Sequence, residues 1–298
     1  MYDRIHYTSC PVCSSSRIKD VFNVKDYTVS GESFLILECL DCSLRFTQDV
    51  PAPDRIAAYY KSENYISHTN TSKGLVNSLY QLVRKRTLHQ KRKLAEGLVT
   101  KQQRELLDIG SGTGAFVNEM QLHGWKVTGL EPDAGARKVA ADLYHISLQA
   151  PEKLFDLTEK RFDIISLWHV LEHVHELKKY ISQCHRLLAE NGRLLIAVPN
   201  YLSLDARVYG EYWAAYDVPR HLYHFTPAAM NRLLSANGFV LQAYRPMWFD
   251  SFYISMLSSR YKTGHTNLPG AFWTGLRSNA RALRNVRLCS SVIYIAGK

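Results

Sequence analysis

The feature that most constrains this chain is the stretch Leu106-Leu107-Asp108-Ile109-Gly110-Ser111-Gly112-Thr113-Gly114-Ala115-Phe116-Val117. An apolar run enters it, glycines occupy alternate positions, and a helical pattern leaves it. That is the pattern of a buried strand turning sharply into a helix with bare backbone at the bend. Glycine there lets a ligand approach the main chain closely. The helix that follows offers unpaired N–H groups and a positive dipole end.

The surrounding pattern alternates strand and helix. Strands are predicted at Leu106–Ile109, Trp125–Leu130, Ile146–Gln149, Phe162–Leu167, Arg193–Val198, Phe239–Tyr244 and Ser291–Ala296. Between them fall helices over Ala115–His123, Ala134–Leu143 and Glu176–Ala189, the last closed by Asn191-Gly192. A further helix opens at Thr226-Pro227, an N-cap followed by proline at the first helical position, and runs to Gly238. Such alternation predicts an α/β fold with a doubly wound, mostly parallel sheet. The expected organisation is a small N-terminal unit over 1–50, a helical linker or lid over 51–100, and a main domain over 101–298 with a partly helical insertion at about 250–286. Pro51-Ala52-Pro53 marks the first boundary; residues 54–100 read as helical, with Tyr59, Tyr60 and Tyr65 early and the basic cluster late, and Ser62 to Lys73 as a polar loop.

At 298 residues with 46% apolar content, the chain can bury a large core. It has no apolar run long enough to span a bilayer and no secretory signal pattern, so a cytoplasmic protein is expected. The formal charge is +10, partly concentrated in Arg84-Lys85-Arg86 and Lys91-Arg92-Lys93. Such a cluster reads either as a solvated helix face or as a surface for an anionic partner.

Four of the six cysteines form two pairs, Cys10-Pro11-Val12-Cys13 and Cys39-Leu40-Asp41-Cys42. Strand-like runs at Val21–Val24 and Phe34–Glu38, parted by Ser30-Gly31, place the pairs on a hairpin. Two such turns make a tetrahedral four-sulfur site of the kind zinc prefers, with no spare ligand position, which implies a structural zinc. The segment resembles a zinc ribbon.

The ligand of the glycine stretch is narrowed by its neighbours. A Walker loop needs Lys-Ser/Thr after its last glycine, and Ala115-Phe116 excludes it. Glu131, at the end of the second strand, suits a carboxylate that accepts from ribose hydroxyls. Taken with Asp108-x-Gly110-x-Gly112-x-Gly114, Glu131-Pro132, the block from Phe162 to Val174, and Leu187–Ile196 with Val198-Pro199-Asn200, the chain resembles class I S-adenosylmethionine-dependent methyltransferases over about residues 100–245. The resemblance implies a seven-stranded Rossmann-like sheet with an antiparallel last strand, and S-adenosylmethionine as methyl donor. On these positions Gly110, Gly112 and Gly114 would wrap the methionine end, with Asp108 orienting that loop or reaching the amino group. Glu131 would hold the ribose, Leu130, Gln149 and Ala150 would flank the adenine, and Trp168 and His169 would line the pocket near the sulfonium.

The acceptor side is expected in Asp217-Val218-Pro219-Arg220-His221-Leu222-Tyr223-His224-Phe225-Thr226, after an aromatic loop (Tyr209, Tyr212, Trp213, Tyr216) at the carboxyl end of the sheet. This segment is similar to one in zinc-containing sugar C-methyltransferases, where a Glu-His pair precedes Tyr-Phe-Ser. Here Arg220 stands at the glutamate position and His224 at the tyrosine position. His221 is the candidate base, with His224 and Tyr223 beside it in the catalytic set, and Arg220 is a candidate clamp for phosphate or carboxylate. Glu172-His173 reads as either structural or functional, and Cys184 as core.

The sequence therefore points to a methyltransferase acting on a small molecule, such as a sugar nucleotide or a glycan or lipid precursor, phosphorylated or glycan-linked. RNA or protein methylation, and cofactor binding without catalysis, are the alternatives. The N-terminal unit lacks the dense basic residues and stacking aromatics of a nucleic-acid platform, which disfavours nucleic acid as the partner.

Overall fold

A computed structural model of the chain describes residues 3–60, 75–100, 104–158 and 161–298, with the backbone alone over 75–80. The polar loop expected at Ser62 to Lys73, and Tyr65 with it, lie outside the described residues.

The main sheet runs in the spatial order Val240–Pro246, Ser291–Gly297, Leu188–Pro199, Phe162–Trp168, Arg104–Ile109, Trp125–Leu130. The last four of these pair in parallel, and Ser291–Gly297 is antiparallel to both its neighbours. Every residue of Phe162–Trp168 and of Ser291–Gly297 is buried, which fits their apolar runs to inner positions. Helix Leu177–Leu187 buries Leu177, Ile181, Cys184 and Leu187 on one stripe. Thr226 caps the helix Pro227–Ala236, its hydroxyl accepting from Ala229 N at 3.0 Å.

Two elements differ from expectation. The described sheet has six strands, because Ile146–Gln149 contributes only an isolated parallel bridge between Leu130 and Gln149. After the left-handed cap at His145 the segment has few residues before Pro151, which has no N–H to extend a ladder. Ile146 and Leu148 are still buried, against Val117 and Ala140. The helix before Asn191-Gly192 ends early, at Leu187, and those two residues lie inside the strand. Glycine fits there because a Cβ on Gly192 would stand 2.9 Å from the Phe162 carbonyl oxygen.

A second, antiparallel sheet is built from Ile18–Lys25, Ser33–Cys39 and Arg45–Thr47, and is completed by Tyr223–His224 from the other end of the chain. The cysteine-bearing segment thus shares a ladder with the loop expected to face the acceptor. Helices Asp250–Thr263 and Leu268–Arg284 fill the expected insertion and pack together, with Phe252 and Phe272 stacked at 5.5 Å and Ser251 donating to Asn279 at 3.0 Å. Helix Leu75–Glu96 precedes the first parallel strand.

Candidate functional site

The strand Arg104–Ile109 ends in the glycine turn, where Gly110, Gly112 and Gly114 have φ of 76°, 53° and 78°. These left-handed values are costly for residues with a Cβ. The glycines serve different ends. A Cβ on Gly110 would stand 2.2 Å from Val170 Cγ2, and one on Gly114 would stand 2.8 Å from Ala140 Cβ, so both are packing requirements. A Cβ on Gly112 would meet nothing within 4 Å. Gly112 therefore leaves a bare, open cradle, while its N–H donates to Glu131 Oε2 at 2.7 Å. The other Glu131 oxygen accepts from Asp133 N at 2.9 Å, which fixes the carboxylate at the rim. Burial raises the Glu131 pKa against the pull of these two N–H donors.

Asp108 is buried beneath the turn and accepts from Ser166 Oγ at 2.6 Å. Burial pushes its pKa up to about 6, against the Ser166 hydroxyl and the charge of Lys91. Lys91 extends from helix Leu75–Glu96, its ammonium 4.3 Å from the centre of the Trp168 ring. Burial brings its pKa down to about 8, opposed by Asp108 and Asp250. The Trp168 ring thus already holds one cation against its face, the kind of contact that also suits a sulfonium or an ammonium group.

A polar track leads away from the glycine turn. His169, at the tip of its strand with φ of 57°, places Nε2 3.0 Å from Asp250 Oδ2 and Nδ1 3.3 Å from Glu172 Oε1. Burial works to lower the His169 pKa, but Asp250 and Glu172 outweigh it and hold it at about 10. Burial would likewise raise Glu172, and the His169 cation keeps it below its ordinary value. His173 follows, its Nδ1 3.0 Å from Arg220 O and 3.0 Å from the Tyr60 hydroxyl. Burial, then His221, brings its pKa down to about 4. The His173 and His221 rings meet edge to face at 4.5 Å, and the Leu222 N–H donates to Glu172 O at 2.8 Å. The glycine turn, Val170, His169, Glu172, His173 and His221 are therefore contiguous.

The loop carrying His221 is held from the N-terminal segment. Thr47 Oγ1 donates to His221 O at 2.7 Å, and Thr47 N donates to Leu222 O at 3.0 Å. Ser43 and Thr226 hydroxyls meet at 3.0 Å, and Tyr201 donates to Ser43 O at 2.6 Å. His221 Nδ1 donates to Ala215 O at 2.8 Å, which directs Nε2 the other way.

The other predicted acceptor residues point elsewhere. His224 is buried with Nε2 3.1 Å from Thr47 Oγ1 and its ring edge-on to Tyr216. Burial, with His221 and Arg45 adding to it, holds its pKa well below the ordinary value. Tyr223 is buried and donates to His175 O at 3.2 Å. Arg220 is not an anion clamp: it is 1% exposed, with Nη2 2.9 Å from Asp26 and 2.7 Å from Asp217. Two carboxylates already neutralise it, and its Nη1 donates to Tyr59 O at 2.9 Å. On the cofactor side, Leu130 is buried, Gln149 exposed and Ala150 half-buried. The backbone of Gln149 accepts from Glu131 N at 2.8 Å, which brings these residues to one rim.

Sequence reasoning missed Lys91 and Asp250. Lys91 shares a helical stripe with Leu88 and Ala95, both packed inward, so its place on an apolar face was a readable signal. Asp250 opens a helix directly after a strand and a short turn, and only the fold brings it to His169. The basic cluster divides accordingly. Lys85, Arg86 and Lys93 are exposed, whereas Arg92 is buried between Glu96 at 2.7 Å and Glu119 at 2.8 Å.

The four cysteine sulfurs converge, with Cys10–Cys42 and Cys13–Cys39 each 3.5 Å apart and all ligand atoms within 4.8 Å of one another. Sulfurs placed tetrahedrally about 2.3 Å from a zinc ion lie about 3.8 Å apart. The set fits that ion. Cys184 is buried in its helix stripe, as expected, and Cys289 is buried as well.

Comparison with known proteins agrees with this geometry. A family model described as a methyltransferase domain matches residues 80–244. The ubiquinone biosynthesis O-methyltransferase of Rhodopseudomonas palustris (strain HaA2) is 26% identical over 156 residues, covering 49% of this chain and 62% of that protein. The protein of the same name from Pelagibacter ubique (strain HTCC1062) is 31% identical over 105 residues, covering 32% of this chain and 42% of the relative. The chain thus spans less than two thirds of the length of these relatives. A candidate sarcosine dimethylglycine methyltransferase from Galdieria sulphuraria shares the fold at a TM-score of 0.50 and 13% identity, over 74% of this chain and 87% of that one.

Proposed function

Since the chain belongs to the methyltransferase domain family, we propose that it transfers the methyl group of S-adenosylmethionine to a hydroxyl group of a small molecule. The observation that carries this reading is the open cradle at Gly112, flanked by a fixed rim carboxylate, Glu131, and by Asp108 beneath the turn. Gly110, Gly112 and Gly114 would receive the methionine portion and Asp108 its ammonium group. Glu131 would exchange its backbone donors for ribose hydroxyls. Leu130, Gln149 and Ala150 form the adenine side, and Trp168 with His169 the sulfonium side. The driving force resides in the sulfonium, so the protein's task is alignment of the two reactants and exclusion of water.

The acceptor would lie along the track from His169 to His221. His221 directs its Nε2 lone pair toward it, and His224 and Tyr223 hold the loop that positions His221. A hydroxyl acceptor is common to the O-methyltransferases named among the relatives and to the sugar nucleotide or glycan and lipid precursors expected from the sequence. A structural zinc at Cys10, Cys13, Cys39 and Cys42 would fasten the segment that grips this loop.

Calorimetry with S-adenosylmethionine tests the donor assignment. Binding should be lost or weakened at least about tenfold in Gly112→Val and Glu131→Ala; equal affinity in both variants refutes it. Incubating the protein with the donor and panels of catechols, phenols and nucleotide sugars, and reading S-adenosylhomocysteine, identifies the acceptor. Turnover on RNA or protein alone would overturn the small-molecule reading.

A further inference from the structure

We propose that Glu172, His173 and His221 bind one divalent cation of the zinc class, separate from the four-cysteine site, and that this cation receives the acceptor's hydroxyl oxygen. The role rests on the methyl-transfer reading above; the site itself does not. One ligand atom from each of the three residues lies within 4.8 Å of the others.

The hydrogen bonding fixes which atoms face inward. His173 Nδ1 lies 3.0 Å from Arg220 O and His221 Nδ1 lies 2.8 Å from Ala215 O. A carbonyl oxygen only accepts, so each Nδ1 carries the hydrogen and each Nε2 keeps its lone pair; the Tyr60 hydroxyl oxygen, also 3.0 Å from His173 Nδ1, shares that hydrogen as a second acceptor. Imidazoles that ligate metals are oriented in this way, with the remote N–H tied to a carbonyl. Two unrelated backbone carbonyls impose it here on two rings in edge-to-face contact.

The carboxylate supplies the second, independent observation. Glu172 is fully buried, and among the described residues Oε1 alone has a partner, His169. Oε2 is buried and has no hydrogen-bond partner among the described residues. A buried carboxylate oxygen left unpaired is costly, and native structures rarely keep one without a purpose. A cation bound at Oε2 would satisfy it while leaving the His169 pair intact. The neighbouring guanidinium does not take this place, being turned to Asp26 and Asp217. Two imidazoles and one carboxylate are the donor set of three-ligand zinc and iron(II) sites with open positions. The adjacent positions 172 and 173 share one short helical turn, and the Leu222 N–H clamps the His221 loop to Glu172 O at 2.8 Å, so the set is preorganised.

An open coordination position would take the acceptor hydroxyl and lower its pKa. The proton passes to water, the oxygen lone pair forms the O–CH3 bond, and the S–CH3 bond breaks with its electron pair returning to sulfur. The products are the methyl ether and S-adenosylhomocysteine. His221 then acts as a ligand, its lone pair committed to the cation.

The full chain, stripped with chelator and dialysed against zinc, should bind two zinc ions. Glu172→Gln and His221→Ala should each bind one, with affinity for the second ion reduced by more than about 100-fold and donor binding unchanged. Two ions bound with equal affinity in both variants would overturn the proposal. Should the variants fail to fold, cobalt(II) titration of the wild-type chain decides it. A second cobalt spectrum lacking thiolate charge-transfer bands supports the site, and a thiolate spectrum alone refutes it. Loss of donor binding in a chain that holds two ions would refute methyl transfer and leave the metal site standing.

Discussion

Asp26 Oδ1 lies 2.9 Å from Arg220 Nη2, a buried ion pair that joins the N-terminal segment to the loop bearing His221. The Asp26 carboxylate also accepts from the Thr28 and Ser30 N–H groups at 3.0 and 2.8 Å. Burial would raise its pKa, yet Arg220 and these N–H donors hold it well below the usual carboxylate range.

Removing Asp26 takes one of two carboxylates from a buried guanidinium that keeps Asp217 at 2.7 Å. Asp26→Asn should lower stability by about 1.5–3 kcal/mol, the range for a hydrogen bond to a charged group, measured by denaturant unfolding. Because the folded-state pKa is depressed, the contribution is present above the ordinary carboxylate pKa and is lost as pH falls through the folded value. Asp26→Asn should therefore show a flatter loss of stability on acidification than the wild type.

The glycine turn should separate fold from function. Gly110→Ala drives a Cβ into Val170 and forces alanine into a left-handed conformation, so it should cost about 2–4 kcal/mol. Gly112→Ala meets no atom and carries only the conformational cost of about 1–2 kcal/mol. Donor affinity should nonetheless fall more steeply in a folded Gly112→Ala than that cost implies, as calorimetry beside thermal unfolding will show.

Asp108 should give the proposed donor site a pH dependence. Its pKa of about 6 means that the carboxylate form dominates at pH 7 and is titrated away in mild acid. A donor ammonium group requires that form, so affinity for S-adenosylmethionine should fall about tenfold per pH unit below about pH 6. Asp108→Asn should bind weakly and lack this slope.

Removing the zinc proposed at the four cysteines should loosen more than the N-terminal segment. The Ser43, Thr47 and Tyr201 bonds carry the order of the cysteine turns into residues 221–226. Cys39→Ser, or chelation, should lower the unfolding temperature and speed protease cleavage within 217–226. A cleavage rate there equal to that of the zinc-loaded chain would break the link.

Asp250 sets the charge of His169. Its removal should bring the His169 pKa down from about 10 toward the ordinary range, followed by NMR titration of the ring. The raised pKa means that the pair stabilises fully below the ordinary histidine value and is lost as pH climbs through about 10. Asp250→Asn should shift that alkaline loss to lower pH.

Much of the fold was legible in the chain. Six of the expected strands appear near their predicted bounds, because continuous apolar runs and turn residues specify them locally. Ile146–Gln149 shrank to a bridge because ladder length depends on a partner and on Pro151, and apolar pattern does not report this. Arg220 looked like a free clamp because nothing near it in sequence discloses Asp26, and Lys91 looked like one of several surface cations.

The sequence by itself determined the glycine turn, the cysteine spacing, the helix cap at Thr226 and the alternation that builds the sheet. Each depends on neighbours within a few residues: a φ only glycine adopts cheaply, a two-residue thiol spacing, an apolar period. Tertiary structure alone decided that Lys91 lies over Trp168, that Asp250 charges His169, and that Glu172, whose Oε2 has no partner among the described residues, converges with His173 and His221. Those relationships join segments far apart in the chain, and burial and charge at each depend on what packs against it.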